Sequence, residues 1–215
     1  MKGLLLGVAA TLALPSAAQA ATFINGDFET GNDPGTYFLR LGTDSTALTG
    51  WTITSGNVEL IGGYWQSGSG SRSIDLNGSA QGAIAQTFDT IEGMTYNVDF
   101  LMAGNPEGGP AVKTLEVAAT GNDGQLFSFD NTGFSKTNMG WTNYTYTFTA
   151  SGNLTTLSFA SMTDSPWTGP ALDGVTVTAM SAVPVPEPTT WALMLGGFAL
   201  IGSTLRRRQS VVQFS

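Results

Sequence analysis

An all-β sandwich of the jelly-roll type is the fold that this 215-residue sequence predicts, and three observations lead to it. Between residues 21 and 180, apolar side chains recur with period two in short segments, the pattern of half-buried strands. Those segments are cut by clusters of Gly, Asn and Asp, the residues that turn a chain. No stretch of that region carries the 3.6-residue apolar period of an amphipathic helix. About ten short strands with turns between them imply two packed sheets, and no repeat of fixed period points to a solenoid or propeller.

The strands follow in order. "FINGDF" (23–28) opens the region, and "WTITSGNVELIG" (51–62) follows, with a Ser-Gly-Asn interruption at its centre. "RSIDLNG" (72–78) and "AIAQTFD" (83–89) come next. "MTYNVDFLM" (94–102) places Tyr96, Val98, Phe100 and Met102 on one face, the clearest alternation in the chain. "VKTLEVAA" (112–119) and "LFSFD" (126–130) lead to "WTNYTYTFTA" (141–150), where Tyr144, Tyr146 and Phe148 share a face. "LTTLSFAS" (154–161) and "LDGVTVTA" (172–179), with Leu172, Val175 and Val177, complete the set.

Both ends differ from this middle. Residues 1–20 carry one positive charge at Lys2, an apolar run from Leu4 to Leu14 and an Ala-Gln-Ala ending at Ala20, the layout of a secretory signal peptide. The domain of residues 21–180 is therefore expected to be exported. Residues 181–190 form a Pro-rich linker, and 191–205, from Trp191 to Leu205, carry no charge. As a helix this segment rises about 22 Å, enough to serve as a marginal transmembrane span across a ~30 Å hydrocarbon layer. Arg206, Arg207 and Arg208 begin a basic tail, 206–215, that would stay on the cytoplasmic side.

Composition narrows the chemistry. Residues 21–180 hold fifteen Asp and Glu against Arg40, Arg72, Lys113 and Lys136, a net charge of −11. Such a surface repels phosphate backbones, so no nucleic acid is expected as a partner. Cysteine and histidine are both absent, which removes disulfides, thiol and Ser-His-Asp catalysis, and His-ligated zinc. Carboxylate pairs, hard-metal sites and plain binding remain.

Two sets of residues stand out. In "NGDFETG" (25–31) and "ALDGVTV" (171–177), Glu29 and Asp173 could meet at one rim if the first and last strands are neighbours. With a carbonyl near Asp27, they would supply hard oxygens for calcium. On residue types alone, these are equally ordinary turn residues. The second set is aromatic: Tyr64, Trp65 and Trp167 lie beside Gly or Pro, near Asn105 and Glu107 in "GNPEGGP". Sugar rings stack their C–H faces on aromatic side chains while polar neighbours fix the hydroxyls. Trp51 and Trp141 open alternating strands and read as core residues. Asp75, Asp99, Glu107 and Asp173 are conceivable members of a glycosidase pair, but none sits in a motif that singles it out, so the chain is read as not an enzyme.

"NGDFE", "GSRSIDL", "AIAQTF" and the closing "LDGVTV" resemble the galactose-binding-like jelly roll shared by several carbohydrate-binding modules. More narrowly, "GWTITSGNVELIGGYWQ", "AGNPEGGPAVKTLEV", "NMGWTNYTYTFTA" and "GPALDGVTV" resemble the choice-of-anchor C family, itself related to plant cell-wall proteins of unassigned function. The likeness to the carbohydrate-binding modules implies a structural calcium ion at Glu29 and Asp173, with Asp27 giving a backbone carbonyl. It also implies extracellular polysaccharide as a partner. The tail, "VPEP" with Pro186, Glu187 and Pro188, then an apolar segment and the arginines, resembles the PEP-CTERM sorting signal. The resemblance implies processing by an exosortase-type peptidase after transient membrane insertion, and a final place at the cell surface or in an extracellular matrix.

Overall fold

Eleven strands pair without exception in antiparallel fashion to give two sheets, in a computed structural model that describes residues 22–180 and 188–206. They are β1 (Phe38–Gly42), β2 (Thr52–Ser55), β3 (Asn57–Ile61), β4 (Ser73–Asp75), β5 (Ala83–Asp89), β6 (Thr95–Gly104), β7 (Val112–Ala119), β8 (Gln125–Asp130), β9 (Thr142–Thr149), β10 (Leu154–Ser161) and β11 (Pro170–Ala179). A six-stranded sheet runs β1-β3-β4-β11-β6-β9, and a five-stranded sheet runs β2-β5-β10-β7-β8. Many sequence neighbours lie on opposite sheets, the crossing that makes a jelly roll of a sandwich.

The core is the inner face of each alternation. In β6, Val98, Phe100 and Met102 are fully buried while Asn97, Asp99 and Leu101 face outward. Phe100 is a hub: its ring meets Phe127 of β8 at 5.1 Å and Phe159 of β10 at 5.5 Å, both edge-to-face, and stacks on Tyr144 of β9. Each such ring contributes about 1.5–3 kcal/mol by leaving water, plus a further pairing term of about 0.5–1.5 kcal/mol. In β11, Leu172 and Val175 are three apart yet both buried, which a regular strand forbids. A register shift between Asp173 and Thr176, at Gly174 with φ 55°, supplies the odd residue.

Three expectations about elements change. "FINGDF" is not a strand: Asn25 and Phe28 take left-handed φ values of 53° and 58°, so the chain turns there. It is held instead by Gln86, which bonds both the N–H and the carbonyl of Ile24, and by Gly26, whose carbonyl accepts the Val175 N–H at 2.8 Å. Strand β1, "FLRLG", goes unseen in the sequence pattern because only Leu41 in it is buried. The helix α1 runs from Pro188 to Arg206, starting inside the expected linker, since proline suits a first helical position.

Among the described residues, no helix is long and apolar enough to cross a membrane, so the expected transmembrane span at 191–205 is not supported. Gly196, Gly197, Gly202, Ser203 and Thr204 dilute its apolar run. The signal peptide, Pro186, Glu187, Arg207 and Arg208 lie outside the described residues.

Candidate functional site

Antiparallel register builds the floor of the site. Arg40 of β1 lies opposite Glu59 of β3, and Glu59 lies opposite Asp75 of β4, so the three form one row on the outer face of the six-stranded sheet. Arg40 Nη2 meets Glu59 Oε1 at 2.6 Å, with Nε at 3.1 Å. Burial pushes the Glu59 carboxyl above its usual value, and the Arg40 guanidinium only partly offsets this. Asp75 is completely buried, and burial pushes its carboxyl up to about 7 despite three hydrogen-bond donors, with Glu59 adding to the rise.

Those three donors tie two loops to the floor. Asn77 N–H and Gly169 N–H donate to Asp75 Oδ1 at 2.8 and 3.1 Å, and Asn105 Nδ2 donates to Oδ2 at 2.8 Å. Asn105 also donates to the Trp167 carbonyl at 2.9 Å and accepts the Glu107 N–H at 2.9 Å. From the other sheet, the fully buried Lys113 reaches across with Nζ to the carbonyls of Gly108 (2.7 Å) and Thr168 (3.0 Å). Burial lowers the Lys113 ammonium and nearby Asp75 raises it again. The loops carrying Glu107 and Trp167 are thus fastened from beneath by buried polar groups, each of which would be costly to leave unpaired.

On this base stands a pocket of ≈ 180 Å³ lined by Phe38, Glu59, Tyr64, Asn105, Glu107, Trp167 and Thr168. Trp167 is 47% exposed and has φ 71°, a left-handed backbone that bulky residues adopt only where the surroundings impose it. Its N–H is fixed to the Gly78 carbonyl at 2.6 Å, and the Arg40 guanidinium lies 4.2 Å from the centre of its ring. Across the pocket, the Tyr64 hydroxyl donates a short hydrogen bond to Glu107, and Lys136 Nζ lies 3.7 Å from the Tyr64 ring centre and 2.6 Å from Glu107 Oε1. Burial alone would raise Glu107, but the bonds from Lys136 and Tyr64 outweigh it and hold the carboxyl below its usual range. Beyond Tyr64 lies a second, open depression of ≈ 380 Å³ with Gly63, Trp65, Gln66, Lys136 and Thr137 on its walls.

Of the aromatic set picked from the sequence, Tyr64, Asn105, Glu107 and Trp167 come together here, although they are spread over a hundred residues of chain. Trp65 is a correction: it is 5% exposed and its indole N–H donates to Ser73 Oγ at 2.8 Å, so its ring packs in the core and only edges the neighbouring depression. Asn105 is a brace, since its amide groups are committed to Asp75, Trp167 and Glu107. Sequence reasoning missed Phe38, Arg40, Glu59 and Lys136; the alternation of "FLRLG" is the one signal that could have raised the first two. Trp51 is buried, and Trp141 is half-buried with its indole N–H donating to the Gln66 carbonyl at 2.8 Å.

Glu29 and Asp173 grip one loop, Gly68–Arg72, from two sides. Glu29 Oε1 accepts the N–H groups of Ser71 (2.5 Å) and Arg72 (2.8 Å), and Asp173 Oδ2 accepts those of Gly68 (2.8 Å) and Ser69 (2.7 Å). Burial pushes the Asp173 carboxyl up to about 7, and the charge of Glu29 adds to that, while Asp173 has only backbone N–H partners. For Glu29 the same bonds outweigh burial and hold the carboxyl low. The pair supplies hard oxygens of the kind calcium takes, and Glu29 Oε1 and both Asp173 oxygens already accept backbone N–H groups. Among the described residues no third acidic or otherwise metal-binding side chain joins them, so the remaining oxygens would have to be carbonyls or water. Asp27 is exposed and its Oδ1 accepts the Glu29 N–H at 3.4 Å.

The chain is 32% identical over 177 residues to halomucin of Haloquadratum walsbyi, covering 78% of this chain and 2% of that far longer protein. Among solved structures, the carbohydrate-binding module CBM35 from Cellvibrio japonicus Abf62 superposes with a TM-score of 0.45 at 16% identity, covering 67% of this chain and 99% of its own. TmCBM61, solved in complex with beta-1,4-galactotriose, gives 0.43 at 14% identity, covering 74% and 99%. Residues 184–209 match the PEP-CTERM protein-sorting motif. Residues 21–178 match the family described as "Protein of unknown function (DUF642)", and the chain belongs to that family.

Proposed function

We propose that this is an exported, non-catalytic surface or matrix protein whose β-sandwich binds carbohydrate in the pocket between Tyr64 and Trp167. The observation that carries this reading is Trp167: a half-exposed indole on a strained backbone, braced by Asn105 and Gly78, facing a pocket edged by a tyrosine and two carboxylates. Stacking rings with hydrogen-bonding edges is what a sugar requires. Catalysis is disfavoured because Asp75 is sealed beneath the Trp167 loop and Glu59 is held in a buried pair with Arg40, leaving Glu107 without a second free carboxylate beside it. The C-terminal motif would be read by an exosortase-type peptidase on the way to the cell surface. A glycan array probed with the full chain tests the reading. Binding that Trp167→Ala removes supports it, whereas no glycan retained in a folded protein would favour a purely structural surface role.

Calcium belongs to the same proposal as a structural ion. Glu29 and Asp173 would hold it, with a carbonyl near Asp27, and its charge would offset the burial, and the smaller repulsion from Glu29, that raise Asp173. Its effect would be on the stability of the Gly68–Arg72 loop, not on chemistry.

A further inference from the structure

Resting on the sugar-site reading above, we propose that Lys136 is an internal competitor for one face of Tyr64, and that the ligand which displaces it is a neutral saccharide chain spanning both depressions that share that ring. The two cations of the site are held very differently. Arg40 pairs with Glu59, whose side chain is only 6% exposed, so moving Arg40 would strand a buried carboxylate. Lys136 and Glu107 are 35% and 38% exposed, and a pair that open is weak and easily exchanged for water. Lys136 is therefore the displaceable member, while Arg40 is a fixed backing for Trp167.

Its position makes that displacement useful. The 180 Å³ pocket is smaller than the roughly 300–1,000 Å³ that drug-sized ligands occupy, so by itself it suits a single ring. The 380 Å³ depression shares Tyr64 with that pocket and is walled by Lys136, whose ammonium sits over the tyrosine ring where a second sugar would stack. Swinging Lys136 into solvent uncovers that face and frees Glu107 to accept a sugar hydroxyl.

Charge selects the class of sugar. Arg40 is matched by Glu59 and Lys113 is buried near Asp75, while Lys136 is matched by Glu107 at rest and turned to solvent once displaced, so among the described residues none of these three is directed at an anionic group in the site. Arg72, the last cation of the domain, donates from Nη1 to the Glu29 carbonyl at 2.9 Å and has Asp33 Oδ1 at 3.8 Å from Nη2. A uronate chain would also meet the field of a domain with net charge −11. A neutral chain meets neither obstacle.

The experiment measures binding of the full chain to soluble neutral galactan, glucan and xylan and to polygalacturonate, for wild type, Lys136→Gln, Lys136→Arg and Trp167→Ala, at low and high salt. An exposed ion pair and an exposed cation–π contact together amount to about a three- to tenfold factor, so Lys136→Gln is expected to tighten a neutral polysaccharide by that much. Lys136→Arg should stay near wild type, and added salt should leave binding unchanged or stronger. Preference for polygalacturonate, lost in Lys136→Gln and in high salt but still dependent on Trp167, overturns the inference and leaves the sugar site standing. Neutral binding that depends on Trp167 but is unaffected or weakened by Lys136→Gln overturns it too. If nothing binds, or binding ignores Trp167→Ala, the sugar-site reading itself falls and this inference with it.

Discussion

Stability should fall, not rise, as the pH is taken from 5 to 7, and Asp173→Asn should halve that fall. Asp75 and Asp173 both have carboxyls pushed from 3.8 to about 7 in the folded chain, chiefly by burial. A group raised on folding keeps its proton in the native state while the unfolded chain has lost it. The native state is then favoured below about pH 4, and the advantage disappears as the pH climbs to 7. At 1.36 kcal/mol per unit, a shift of this size amounts to about 4 kcal/mol for each group. The expected slope between pH 5 and 6.5 is about −2.7 kcal/mol per pH unit for the pair, or about −1.4 with one group removed. Glu59, also raised by burial, adds to the fall, while the lowered carboxyls, Glu29, Glu107 and Asp130, act in the opposite sense but only at lower pH.

Asparagine at 173 keeps an oxygen for Gly68 and Ser69 but turns an amide toward the Gly174 N–H, at a cost of about 1–3 kcal/mol. The variant should therefore start less stable at pH 5 and draw level near pH 7. Urea unfolding of the full chain in EDTA, followed by tryptophan fluorescence, reads both curves. A wild-type stability that is flat or rising across this window would refute the argument, as would an Asp173→Asn curve parallel to wild type.

Other consequences follow from single contacts. Trp65→Ala should lower stability by about 3–5 kcal/mol in urea unfolding, because it empties a buried ring site and strands Ser73. Gly70→Ala should cost about 1–3 kcal/mol in the same assay: φ is 53° there, and the added carbon would lie 2.4 Å from Glu29 Oε1. Millimolar calcium should raise the melting temperature of wild type but not of Glu29→Gln. An equal rise in both, or none in wild type, would exclude an ion held by Glu29 and Asp173.

The parts of this account that were legible in sequence are those carried by local pattern. Period two in β6 and β9 gave the inner face residue by residue, because both strands are covered on one side and wet on the other. "FINGDF" misled because its alternation is produced by turns with positive φ and its hydrogen bonds run to a side chain, Gln86. β1 was illegible because it lies at a sheet edge, where an exposed arginine and phenylalanine leave little apolar contrast. The same fact hid half the candidate site: Arg40 and Phe38 acquire their meaning from the register with β3, which no local window contains. Trp65 and Tyr64 are adjacent and look alike in sequence, yet in the turn after β3 Trp65 is buried and Tyr64 only half-buried, a difference that no strand alternation announces.

The central claim is that the Tyr64–Trp167 pocket is where this domain meets sugar. Isothermal titration of the full chain with whichever polysaccharide the glycan array identifies, repeated for Trp167→Ala and Tyr64→Ala, tests it most directly. Removing a stacking ring should weaken binding by about tenfold or more in each variant while the melting temperature changes little. Undiminished affinity in both folded variants would contradict it.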